Sequence, residues 1–140
     1  KANDFAMFHP GGTLGRKLLV RVKDVMYTEN FPIISPDIRL SEAIMTISSG
    51  KLGLGVVMTG DRIVGIITDG DIRRAVEGAQ ANFTNLTVAE AMTHTPKTIN
   101  PEAKLTKIQE MFNRYKIHSL LVVDGNKKLV GIVDYFAIMN

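Results

Sequence analysis

The chain has 140 residues, 17 Lys+Arg against 14 Asp+Glu, no cysteine, no tryptophan and 45% hydrophobic residues. That length leaves room for one compact unit or two very small ones; the missing cysteine excludes disulfide scaffolds, Cys-type zinc sites and thiol nucleophiles. A formal charge of +3 spread along the chain, with few aromatics, argues against a nucleic-acid groove, and no apolar run reaches the roughly 18 residues of a membrane span.

The chain begins at Lys1 without an initiator Met and reads as a piece of a longer protein, opening with D-F-A-M-F-H-P-G-G-T-L-G-R-K-L-L from Asp4 to Leu19. A short helix V-K-D-V-M, Val22 to Met26, follows, and an extended stretch leads to Pro36. Near Ser41 a helix starts, with Leu40, Ile44 and Ile47 at helical spacing. An apolar strand over Val56–Met58, a tight turn at Gly60-Asp61, a second strand over Ile63–Ile67 and a helix over Asp71–Glu77 complete the first half. The order then restarts: V-A-E-A-M from Val88 to Met92, Pro101, and a helix near Thr106 carrying Leu105, Ile108 and Phe112. Strands over Leu120–Val123 and Leu129–Val133 flank Gly125-Asn126, and a short helix over about Tyr135–Met139 ends the chain.

Three blocks recur in the same order at offsets of 66, 65 and 66: Val22–Met26 with Val88–Met92, Ser35–Ile44 with Asn100–Gln109, and Thr59–Thr68 with Asp124–Asp134. The chain is therefore an internal duplication. Some 55 residues per copy is a marginal core. The two copies are accordingly expected to pack on each other about a pseudo-twofold axis, with a ligand cleft between them.

Two β-α-β-β-α units in tandem, the first closing its second strand with G-I-I-T-D-G-D-I-R-R from Gly65 to Arg74, resemble a CBS-domain pair, or Bateman module. The resemblance covers about Val20 to Asn140 and implies an α+β fold, with residues 20–78 and 88–140 as the repeats and 79–87 as the linker between them. It also implies a regulatory role, since such pairs commonly bind adenosine nucleotides or related ligands in the inter-repeat cleft. The segment Asp4–Leu19 running into V-K-D-V-M is similar to the junction of bacterial D-arabinose 5-phosphate isomerases, where a sugar-isomerase (SIS) domain leads into a CBS pair. Residues 1–19 then read as the linker from a SIS domain, and His9 of the H-P-G-G segment as a remnant of that family's catalytic site. The family interconverts D-ribulose 5-phosphate and D-arabinose 5-phosphate for Kdo, and hence for lipopolysaccharide or capsule.

Thr68 and Asp71 are the leading ligand-binding candidates. A hydroxyl at a strand end and a carboxylate three residues on, near a helix N-terminus, suit a phosphorylated ribose: hydroxyl and amides for phosphate, carboxylate for the diol. The alternative is that Thr68 or Asp69 merely caps the helix, with Asp71 in its first turn. In the second copy Asp134 and Ala137 stand at the matching places, so one nucleotide site is expected rather than two. The resemblance implies that a basic residue before the first strand of copy two, Lys116 or His118, reaches the ligand phosphate; a solvated Lys and a half-buried His remain equally open. It likewise assigns the Ile34-Ser35 stretch, with Ile33, to packing the base, although Ile33 and Ile34 could equally be plain core.

Other motifs carry no weight: G-G-T-L-G-R-K lacks P-loop spacing, and His9, His94 and His118 show no metal-ligand spacing. The D-G-D of Asp69 to Asp71 has Arg73 where a haloacid-dehalogenase phosphatase wants Thr or Val. The expectation is a cytoplasmic sensor that is not itself a catalyst, needs no cofactor or metal, and responds to AMP, ATP or a sugar nucleotide such as CMP-Kdo. Its partners would be the effector, the attached SIS isomerase domain and a second copy, giving a homodimer and a tetrameric parent, with no nucleic acid and no membrane. The competing expectation is a structural dimerisation module without ligand, using Val25, Met26, Ala91 and Met92 as self-complementary surface.

Overall fold

The structure, a computed structural model, describes residues 19–139. In chain order its elements are α1 (Val22–Val25), β1 (Ile33–Ile34), α2 (Leu40–Gly50), β2 (Leu54–Thr59), β3 (Arg62–Thr68), α3 (Asp69–Ala79), a 3-10 turn (Gln80–Asn85), α4 (Val88–Ala91), β4 (Thr93–His94), β5 (Thr98–Ile99), α5 (Leu105–Tyr115), β6 (Ser119–Val123), β7 (Leu129–Asp134) and α6 (Tyr135–Met139). One sheet has the order β1-β2-β3-β4 and the other β5-β6-β7. In each, a two-residue lead-in strand pairs parallel with the first long strand, which pairs antiparallel with the second. The bulge recurs too, between Val57 and Met58 and between Val122 and Val123. The β-α-β-β-α expectation thus holds for both copies. No helix of the described residues is long and apolar enough to cross a membrane.

The packing units are offset from the sequence repeats. One unit is Glu29–Lys97; among the described residues the other joins the segment ending at Thr28 to the segment that starts at Thr98. Helix α1, which opens copy one, therefore packs with copy two. The Val22 N–H donates to Ala103 O at 2.9 Å, the Lys23 N–H to Pro101 O at 3.0 Å, and Tyr27 and Ile132 exchange amide hydrogen bonds of 2.8 and 3.1 Å. Helix α4, which opens copy two, repeats this on copy one: the Val88 N–H donates to Ile38 O at 2.9 Å and the Ala89 N–H to Pro36 O at 3.0 Å. Val22 and Val88, both fully buried, drop into the two cores.

The core of the first unit comprises Ile34, Leu40, Ala43, Ile47, Val57, Ile67 and Val88. That of the second is built on Val22, Leu105, Ile108, Phe112, Leu120, Val122 and Val133. Strand β2 is buried over four consecutive residues, Leu54 to Val57, because β1 and β3 flank it: a Cβ on Gly55 would collide with Ile34 and lie 3.1 Å from Ile67 Cγ2. Val25, Met26, Ala91 and Met92 pack partly buried against these cores. The methionines lie on the glycines of the V-G-I motifs, Met92 on Gly65 and Met26 on Gly131. The residues expected to serve self-association thus give part of their surface to these cores. Ser41 and Thr106 cap nothing, because Arg39 and Lys104 hold the N-cap positions without side-chain bonds.

Candidate functional site

Strand β3 ends at Thr68, whose extended backbone (φ −114°, ψ 169°) makes it the N-cap of α3. Asp69, weighed as the cap from sequence, is instead the first helical residue. The Thr68 hydroxyl oxygen accepts from the Asp71 N–H at 3.2 Å, while Asp71 Oδ2 accepts from the Thr68 N–H at 2.9 Å and from its hydroxyl at 3.1 Å. This reciprocal box satisfies amides that a helix start leaves without partners. The second carboxylate oxygen, Oδ1, accepts from Arg74 Nη2 at 2.6 Å and from Thr93 Oγ1 at 2.9 Å. Asp71 is only 5% exposed, the one buried charged side chain among the described residues. Four donors to two oxygens are what a desolvated carboxylate requires.

The sequence reading missed two members of this cluster. Arg74 was legible as D-x-x-R, an i,i+3 pair on one helix face. Thr93 was not: it lies 22 residues on, in β4, and reaches Asp71 because β4 pairs with β3 through Gly65–His94 and Ile66–Thr93. The Asp69 N–H donates to Gly53 O at 3.3 Å, tying the start of α3 to the loop before β2. Of the other candidates in this unit, Ile34 is 2% exposed and belongs to the core, whereas Ser35 is exposed and its hydroxyl accepts from the Asp37 N–H at 3.2 Å. Ile33 points outward, 45% exposed.

In the other unit the same strand–helix junction is built differently. Asp134 ends β7, and its carboxylate accepts from the N–H groups of Phe136 and Ala137. Burial pushes this carboxyl above the ordinary Asp range, against those two amides and the nearby His118, which pull it down. His118 is exposed and packs its ring against Tyr135 (5.4 Å, edge-on) and Phe136 (6.1 Å). Lys116 is exposed and occupies the left-handed C-cap of α5 (φ 53°, ψ 46°), as Lys51 does for α2 (φ 59°). Repeat one therefore offers a hydroxyl and a carboxylate where repeat two offers a carboxylate beside aromatic rings. His9 lies outside the described residues.

The CBS-domain family profile matches residues 22–78 and 88–140, both copies of the duplication. The chain belongs to the CBS-domain family. The pair is 43% identical over 132 residues to a Haemophilus influenzae protein named "Probable arabinose 5-phosphate isomerase", covering 94% of this chain and 39% of that one. It thus spans about two-fifths of that curated relative. Among solved structures the pair resembles the CBS domain pair of protein MJ0100 in complex with 5′-methylthioadenosine and S-adenosyl-L-methionine, with a TM-score of 0.76, 26% identity, and 86% and 93% of the two chains covered. It shares its fold with CBSX2, solved in complex with AMP, at a TM-score of 0.73 and 22% identity over 85% and 92% of the two chains.

Proposed function

We propose that this CBS pair is the ligand-sensing regulatory module of an arabinose 5-phosphate isomerase, a cytoplasmic enzyme that interconverts D-ribulose 5-phosphate and D-arabinose 5-phosphate for Kdo, lipopolysaccharide or capsule synthesis. The effector is an adenosine nucleotide or a sugar nucleotide such as CMP-Kdo, held at the Thr68–Asp71 junction of repeat one. The observation that carries this reading is the asymmetry of the two strand–helix junctions. Of these two junctions, only that of Thr68 and Asp71 combines a hydroxyl, a fixed carboxylate and helix amides, the groups a ribosyl phosphate needs. Asp134 places a negative charge where the phosphate would sit, so repeat two is not the nucleotide site. Ser35 flanks the base, with Ile34 behind it in the core, and Lys116 and His118 are the candidate phosphate contacts. His9 belongs to the active site of the attached isomerase domain, and effector binding biases that domain by a coupling of about 1–3 kcal/mol.

Calorimetry with AMP, ATP and CMP-Kdo, on the wild-type chain and on Asp71→Asn, tests the reading. Binding of at least one ligand, weakened at least about tenfold in the variant, is the expected result. No binding by wild type, or undiminished binding by Asp71→Asn, overturns it.

A further inference from the structure

Arg74 stands in an electrostatically awkward place. Its guanidinium folds back over the first turn of α3, the end of a helix that repels cations. A Cβ on Gly70 would lie 3.4 and 3.7 Å from its two terminal nitrogens and 3.6 Å from Thr68 Oγ1, so cation, hydroxyl and helix start share one spot. Nη2 donates to Asp71 Oδ1 at 2.6 Å, and the Arg74 side chain is 66% exposed against 5% for Asp71. Thr68 and Thr93 hold the carboxylate from the backbone-paired strands β3 and β4, and although Thr93 is exposed, the guanidinium at the end of a long, 66% exposed side chain is the donor most free to swing away.

We infer that Arg74 is the specificity residue of this junction, an internal occupant of Asp71 Oδ1 that a ribose diol displaces and that an anionic group on the same ligand then captures. This rests on the ligand reading above. Four donors already fill the two oxygens of Asp71, so a diol can donate to Oδ1 only as one of its two donors, Arg74 or Thr93, leaves, and the longer, less constrained Arg74 side chain is the one that gives way. A neutral nucleoside must break the ion pair and returns nothing to the freed guanidinium. A 5′-phosphorylated riboside gives it a charge-assisted partner beside the Thr68 hydroxyl and the amides of α3. The ligand class is therefore one carrying both a vicinal diol and an anion.

Titrating the chain with two matched pairs, adenosine with AMP and cytidine with CMP, measures this discrimination. In Arg74→Ala the nucleoside should bind more tightly and the nucleotide more weakly, lowering the nucleotide-over-nucleoside preference by about tenfold or more. Arg74→Lys, which keeps charge but not the planar fork, should retain part of the preference. If Arg74→Ala leaves the preference of a bound pair unchanged, the role of Arg74 is overturned and the ligand site stands. If none of the four probes binds any form of the chain, both are overturned together. Hydrogen-bond-sensitive NMR shifts of the Thr68 and Asp71 amides, unchanged in Arg74→Ala, confirm that the box has survived.

Discussion

The thioether of Met26 lies on Gly131, and a Cβ there would stand 2.8 Å from Met26 Cγ and 3.0 Å from Tyr27 O, besides colliding with the sulfur. The same relation joins Met92 to Gly65, where a Cβ would lie 2.8 Å from the sulfur and 2.7 Å from Thr93 O. Each V-G-I glycine is thus the landing place for a helix that belongs, by sequence, to the other copy. Gly131→Ala and Gly65→Ala should each lower unfolding free energy by about 1–3 kcal/mol, the range for overpacking a filled core. Shortening the methionine in Met26→Ala/Gly131→Ala should recover part of that loss, so the pair is less than additive in urea denaturation. Backbone at Tyr27 O and Thr93 O limits the recovery.

The offset packing makes a second, regional prediction. Val22 is fully buried in the core of the unit that holds copy two. Val22→Ala removes two methyl groups and should cost about 2 kcal/mol. Amide exchange should quicken first at Leu120–Val123 and Ile132, and last in β2 and β3, although those strands are nearer in sequence. Faster exchange in β2 and β3 instead would contradict the packing.

Removing the carboxylate of Asp71 leaves Thr93 and Arg74 without their acceptor and removes the carboxylate half of the capping box. Asp71→Ala should therefore cost about 1–3 kcal/mol in stability, more than Thr93→Ala, which loses one hydrogen bond and about 1 kcal/mol. Chemical denaturation of both variants checks the order. This loss of stability is also why Asp71→Asn, closer in shape, suits the ligand titrations better.

Two acids should give pH profiles of opposite sign. The Glu90 carboxyl is held below its ordinary value by the Thr87 N–H, at 2.9 Å, and then by the Thr87 hydroxyl. Its contribution is present above the unfolded pKa and disappears as pH falls through the lower folded one. Asp134, raised chiefly by burial, behaves the other way: stability is favoured while it is protonated and declines as pH rises through the folded value. Asp134→Asn keeps a capping side chain, so it should be more stable than wild type at neutral pH, with the advantage vanishing in acid. Thermal unfolding followed from acid to neutral pH measures both slopes.

Lys116 carries a positive φ of 53° at a helix end that favours glycine. Lys116→Gly should raise stability by up to about 1 kcal/mol while removing the charge proposed to meet phosphate. Weaker nucleotide binding by a more stable protein would separate the two roles of this residue. Unchanged binding would leave Lys116 a structural cap.

The duplication, the strand and helix order, and the T-x-x-D and D-x-x-R spacings were all legible in the sequence. Each rests on local chemistry: the helical recurrence of Leu105, Ile108 and Phe112, the turn glycine at Gly60, the hydroxyl and carboxylate three residues apart. Ile44, read with Leu40 and Ile47 as one apolar helical spacing, is only half-buried while Ala43 is fully buried, because helical spacing defines a face but not which part of it meets the sheet. Only the tertiary structure decided the rest. Which copy receives α1 or α4, why Gly65 and Gly131 must lack a side chain, and how Thr93 reaches Asp71 across 22 residues depend on contacts between segments far apart in the chain. A repeat, read alone, presents two equivalent docking sites for each Val-Met helix; closing the chain into two packed cores selects one.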